Sequence, residues 1–189
     1  MGNALRKLDK TLVLVGLMGC GKSSVGRRLA ARLGVGFVDS DDEIAAAAGM
    51  SIPEVFERFG EPGFRDGEAK VISRLLRGPP RVLATGGGAF ISPLVRAEVE
   101  RVAISVWLRA DFDTLWSRVA GKPGRPLLEA QNPRAVLKEL MDARYPIYAT
   151  ADFVVDSHAE NSHEVVVDDI LKGLAALAGQ KGKDKGAEA

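Results

Sequence analysis

The sequence predicts an α/β fold, a parallel sheet with helices on both faces, and three observations predict it. Short apolar runs ending in glycine or aspartate alternate with segments whose apolar residues recur at helical spacing. The short runs are apolar at successive positions, as strands buried on both faces require. The polar, glycine-rich stretches "GLMGCGKS", "DSDDE" and "TGGG" each follow such a run, where open α/β sheets bind ligands.

The elements follow in order. Residues 12–15, "LVLV", are a buried strand ending at Gly16. Val25, Leu29 and Leu33 share a helical face, and Gly34 stops that helix. "GFVDS" is a second short strand. Ser51 and Glu54 in "SIPE" match a capping box that opens a short helix ending at Gly60. Phe64, Ile72, Leu75 and Leu76 predict a further helix up to "GPP", with Gly67 expected to loosen it. "RVLATGGG" is a strand running into glycines, and Ser92–Pro93 opens a helix with proline at its first position. "VAISVWL" is a strand, Asp111 caps a helix through Val119, and Asn132–Pro133 begins another. "DFVVDS" is the last strand. Ser162 caps a final helix with Val166, Ile170, Leu174 and Leu177 on one face.

The 189-residue length suits one domain with a full core. Residues 1–10 read as a polar arm, 11–178 as the domain, with a lid near 120–131, and 179–189 as a disordered tail. With 26 basic and 25 acidic residues, the net charge of +1 offers no bulk attraction to nucleic acid or a membrane. No apolar run approaches the roughly 20 residues that span a bilayer. The start has no apolar core of a secretory signal, and Arg6 stands where myristoylation needs Ser or Thr. Cys20, the single cysteine, cannot form an internal disulfide. A cytoplasmic location and a monomer are expected.

The motifs carry the chemistry. Residues 16–23 have the spacing G-x-x-x-x-G-K-[ST] of a phosphate-binding loop, placed between a strand and a helix. Its glycines turn backbone N–H groups inward, Lys22 reaches the β- and γ-phosphates, and Ser23 is a Mg²⁺ ligand. Asp39 and Asp41, two apart, share a face if the backbone is extended. One can hold a metal-bound water and the other an acceptor hydroxyl. Asp42 and Glu43 complement a helix dipole. Arg65 stands three residues before Glu68, which fits either a surface ion pair or a clamp for a carboxylate. Gly86, Gly87 and Gly88 suit a backbone that a ligand approaches closely, or a flexible turn. Arg125, in "AGKPGRPLL", suits a lid cation or a solvated linker. Arg144, in "DARYP", is a substrate contact or a cation near a helix C-terminus. His158 and His163 read as surface residues.

The ordered set "GLMGCGKSSVGRRLA", "DSD", "GEPGFRDGE", "TGGGAF" and "RPLL" resembles shikimate kinase over roughly residues 11–177. The resemblance implies a three-layer fold of the P-loop nucleoside-monophosphate-kinase type, with a five-stranded parallel sheet in the order 2-3-1-4-5. It implies ATP-dependent phosphorylation of the 3-hydroxyl of shikimate, on the route to chorismate and the aromatic amino acids. It further implies that Gly19, Cys20, Gly21, Lys22, Ser23 and Ser24 hold the ATP phosphates and that Arg118 stacks on adenine. Ser23 and Asp39 serve Mg²⁺, and Asp41 holds the acceptor hydroxyls as anchor or base. Arg65 and Arg144 clamp the carboxylate, Gly86, Gly87 and Gly88 line the acceptor, and Arg125 is the lid arginine. The chain departs from the pattern at Ser24, where many relatives have threonine. It also has His158, Ala159 and Glu160 where relatives often carry an arginine near adenine. A gluconate-type kinase on the same fold shares the loop but not the other motifs. A catalytically silent nucleotide-binding module would tend to have lost one of Lys22, Asp39, Asp41 and Arg125.

Overall fold

A computed structural model describes residues 8–121 and 131–184. Five strands form one parallel sheet: β1 (Thr11–Val15), β2 (Gly36–Asp39), β3 (Arg81–Ala84), β4 (Ala103–Arg109) and β5 (Phe153–Asp156). Their spatial order is β2-β3-β1-β4-β5, as the resemblance implied. The centre is β1, where Leu12, Val13, Leu14 and Val15 are all 0% exposed. Successive side chains of a strand point to opposite faces, so both faces of the sheet are covered. The edge strands differ: β2 is only partly buried and Val154 of β5 is exposed. The doubly apolar pattern therefore holds in the middle of the sheet and weakens at its margins.

The helices are α1 (Lys22–Leu33), α2 (Ser40–Ala48), α3 (Ile52–Leu76), α4 (Pro93–Val102), α5 (Phe112–Val119), α6 (Pro133–Tyr148) and α7 (His163–Asp184). Val25 and Leu29 of α1 are fully buried, and α1 lies beside α7. Arg28 and Arg32 meet Glu164 and Asp168 across that seam, at 3.4 Å and 3.0 Å for the pairs Arg28–Glu164 and Arg32–Asp168. These pairs are solvent-exposed, so each contributes only a few tenths of a kcal/mol. The two helices expected around "GEPG" are one element with a break at Gly60, whose φ of 66° and ψ of 179° interrupt α3. Phe56 and Phe64 stack across the break at 4.3 Å and hold its two arms together. The helix runs unbroken through Gly67, contrary to expectation, because Phe64, Glu68, Val71 and Ile72 anchor that arm in the core. Asp111 and Asn132 cap α5 and α6 as predicted, each accepting a backbone N–H three residues on.

Two expected boundaries move. Leu8, assigned to the polar arm, packs partly buried against the core. The last helix continues to Asp184, past the expected end at 178. Val166, Val167 and Ile170 anchor its start in the core, and a formed helix propagates at little cost per added residue. Among the described residues no helix is long and apolar enough to cross a membrane.

Candidate active site

The chemically pointed residues that the structure describes gather at the C-terminal rim of the sheet, most of them beyond β1, β2 and β3 and Arg118 towards the turn after β5. From β1 the chain turns through Gly16, Gly19 and Gly21, with φ of 138°, 84° and 98°. Only glycine takes such angles without strain, and the loop then enters α1 directly. Gly21 caps α1, with no side chain bound to the helix amides and no acid in the first turn. A helix end left open in this way presents free N–H groups and a positive dipole to an anion. The Lys22 ammonium donates to the carbonyls of Gly16 (2.8 Å) and Leu17 (2.9 Å), so it is folded back over the loop. Cys20 is buried within the loop, consistent with a small packing residue.

On the far side of this loop, α5 places Arg118 against it. The Arg118 guanidinium donates to Ser157 Oγ (3.1 Å) and to the His158 carbonyl (3.0 Å). That fixes a planar cation between the loop and the turn after β5. The imidazole of His158 takes no part in that contact, and the residue is exposed as expected. Arg125 and most of the expected lid lie outside the described residues.

The second strand ends at Asp39, and α2 begins at once with Ser40. Asp39 and Asp41 therefore do not share a face of extended backbone. They are joined instead by a cap: Asp39 Oδ1 accepts the Asp41 N–H at 3.1 Å. The other oxygen, Oδ2, accepts from the Ser23 hydroxyl at 2.6 Å, tying the start of α1 to the end of β2. Asp41 opens onto the rim. The surrounding protein nonetheless displaces enough water, with help from the Asp39 charge, to raise its carboxyl above the ordinary value of 3.8.

The glycine triplet follows β3. A Cβ on Gly86 would lie 2.7 Å from Asp41 Oδ1 and 3.0 Å from Glu68 Oε1. One on Gly88 would lie 2.7 Å from Arg65 Cζ. A side chain on Gly86 or Gly88 would displace the groups that face the rim, so the triplet is packed against them and is not a loose turn. Arg65 Nη1 binds Glu68 Oε2 at 2.7 Å, and Glu61 lies 3.3 Å from Nη2. The helix pair expected at Arg65 forms, but its partner is buried and not on the surface. Glu68 is 1% exposed, and burial pushes its carboxyl above the usual range although Arg65 pulls it down. Its Oε1 has no hydrogen-bond partner among the described residues. From α6, Arg144 donates to the Gly87 carbonyl at 3.2 Å, and so does the Tyr148 hydroxyl. Arg144 thus faces the floor and not the end of its helix.

Three contributors escaped the sequence reading. Ser40 is fully buried and accepts the Gly86 N–H at 3.0 Å. Glu68 entered only as a possible partner, and Tyr148 not at all. The signal for Tyr148 was present, since it lies one helical turn from Arg144.

Known proteins match this arrangement. A family profile described as shikimate kinase matches residues 18–175. A shikimate kinase of Paramagnetospirillum magneticum is 56% identical over 168 residues, covering 89% of this chain and 86% of that one. The structure of shikimate kinase from Acinetobacter baumannii in complex with shikimate is similar with a TM-score of 0.82 at 36% identity, over 93% of this chain and 96% of that one. A gluconokinase from Sinorhizobium meliloti shares the fold alone, with a TM-score of 0.64 at 19% identity, over 95% of this chain and 99% of that one. An open phosphate loop, a carboxylate beside it, two arginines converging on a glycine floor and these matches lead to one conclusion: the chain belongs to the shikimate kinase family.

Proposed function

We propose that this chain transfers the γ-phosphoryl group of ATP to the 3-hydroxyl of shikimate, giving shikimate 3-phosphate and ADP for aromatic amino acid biosynthesis. The observation that carries the reading is the convergence of Arg65 and Arg144, from two separate helices, on the glycine triplet next to the phosphate loop. A small acid lying on Gly86, Gly87 and Gly88 meets a guanidinium fork for its carboxylate and Asp41 for its hydroxyls.

The ATP phosphates sit on the loop amides of residues 19–24, and Lys22 leaves its carbonyls to meet them. Asp41 takes the proton of the attacking hydroxyl as the new O–P bond forms and the bond to ADP breaks. Its raised pKa suits that role better than an ordinary carboxylate would. The Ser23 hydroxyl and the Asp39 carboxylate are hard oxygen donors that face each other, a pair suited to Mg²⁺ with the nucleotide phosphates completing its shell. Ser23 would bind the ion directly and Asp39 through water, and the ion would neutralise phosphate charge. Arg118 offers its plane to adenine, and Arg125 closes on the phosphates. The enzyme so proposed is a monomer working in the cytoplasm.

A coupled ADP-release assay with shikimate, quinate, gluconate and nucleoside monophosphates tests this. Shikimate should give the highest kcat/KM. A higher value for gluconate or a nucleotide would reject the acceptor, and ADP release with none of them would leave a silent binding module.

A further inference from the structure

We infer that Tyr148 is a positioning residue for the acceptor: it holds the Gly87 carbonyl so that Arg144 is free to leave it for the substrate carboxylate. The Gly87 carbonyl receives two donors, Arg144 Nη1 and the Tyr148 hydroxyl, both from α6 and one turn apart. A carbonyl oxygen has two lone pairs, so both bonds form together. The two donors are not equivalent. Arg144 is half-exposed at the rim and can turn to an incoming anion. Tyr148 is 0% exposed, with its ring packed 6.1 Å from Trp107 and 6.3 Å from Tyr145. Burial raises its pKa, so it stays a protonated donor throughout the working range.

The inference rests on the reading that Arg144 clamps the acceptor carboxylate. If Arg144 moved and no other donor remained, the Gly87 carbonyl would lose its partner as the site closes, and binding would carry that cost. Tyr148 removes it. Gly87 also packs against the phosphate loop, where a Cβ on it would lie 3.4 Å from the Met18 backbone nitrogen and 3.6 Å from the Gly16 carbonyl oxygen.

Steady-state kinetics on Tyr148→Phe, Arg144→Lys and the double variant test this, with shikimate and with its analogue in which the carboxylate is reduced to a hydroxymethyl group. Tyr148→Phe should raise the KM for shikimate about three- to tenfold, leave the KM for ATP within about twofold, and have no effect with the carboxylate-free analogue. Added to Arg144→Lys it should change the KM less than about twofold, as expected of residues acting through one another. Equal effects on both substrates, an effect that persists with the analogue, or full additivity would overturn the role of Tyr148. If Arg144→Lys itself left the shikimate KM unchanged, the clamp reading would fall first, and the inference with it. Thermal melts of the variants separate these outcomes from a folding defect. If Tyr148→Phe melted too low to assay, a crystal structure of the unsubstituted chain with shikimate would decide: Arg144 turned onto the carboxylate with the Tyr148–Gly87 bond kept supports the inference, and Arg144 still on Gly87 or that bond lost sinks it.

Discussion

The starts of α1 and α2 lie side by side at the rim, and they meet the same requirement in opposite ways. Each exposes amides and a positive dipole that favour negative charge. The α2 end is satisfied from within: Asp39 caps it, and Asp41, Asp42 and Glu43 fill its first turn. The α1 end has a glycine cap, no side-chain bond and no acid. Nothing in helix stability asks for that, since Asp111 and Asn132 show the chain capping α5 and α6 in the ordinary way. The α4 start at Ser92 also lacks a side-chain cap bond and a first-turn acid, so what sets α1 apart is the curled glycine loop before it and Lys22 folded over that loop. The Ser23–Asp39 hydrogen bond joins the two ends, so the closed helix helps to hold the open one in place.

The comparison breaks most completely when the donor side loses its cation. Lys22→Ala should lower kcat about 10²–10³-fold while the thermal midpoint barely moves. An unfolded variant would mean that Lys22 is structural. Asp41→Asn acts from the closed helix and should cost up to a similar factor, about 10² if Asp41 is the base. The sign of its pH dependence follows from the raised pKa. Activity needs the ionised form and falls as the pH drops through that value, so the acid limb of kcat/KM lies above the ordinary 3.8. Residual Asp41→Asn activity should lack that limb, and an unchanged profile would remove Asp41 from proton transfer. Arg65→Lys keeps the charge but loses the fork, and should raise the KM for shikimate about tenfold or more with that for ATP unchanged. Asp39→Ala opens the closed helix end and should lower stability by about 1 kcal/mol, read in denaturant melts. Ser24→Asp puts an acid into the first turn of α1, making it resemble α2. It should raise the KM for ATP about fivefold, or about 1 kcal/mol, and leave that for shikimate alone. Equal effects on both substrates would mean that the open end is not the nucleotide site.

Much of this was legible in the residues. The apolar runs located all five strands, and capping signals at Ser51, Asp111 and Asn132 located three helix starts. The phosphate loop could be read outright, because its backbone geometry forces glycine at fixed spacing. The second half of the site could not. Arg65 and Glu68 are a plain helix pair until packing buries the glutamate. Arg144 is a plain cation near a helix end until α6 is laid against the triplet. Asp39 and Asp41 looked like neighbours on a strand, but the change from strand to helix at Ser40 assigned them different tasks.

What the sequence determined alone was local: strand and helix periods, caps, and a loop whose conformation only its own glycines allow. Tertiary structure decided which side chains face one another. Ser40 meets Gly86 across 46 positions, and Tyr148 meets Gly87 across 61. Such contacts depend on the strand order and on how each helix packs against the sheet, and local spacing in the chain encodes neither.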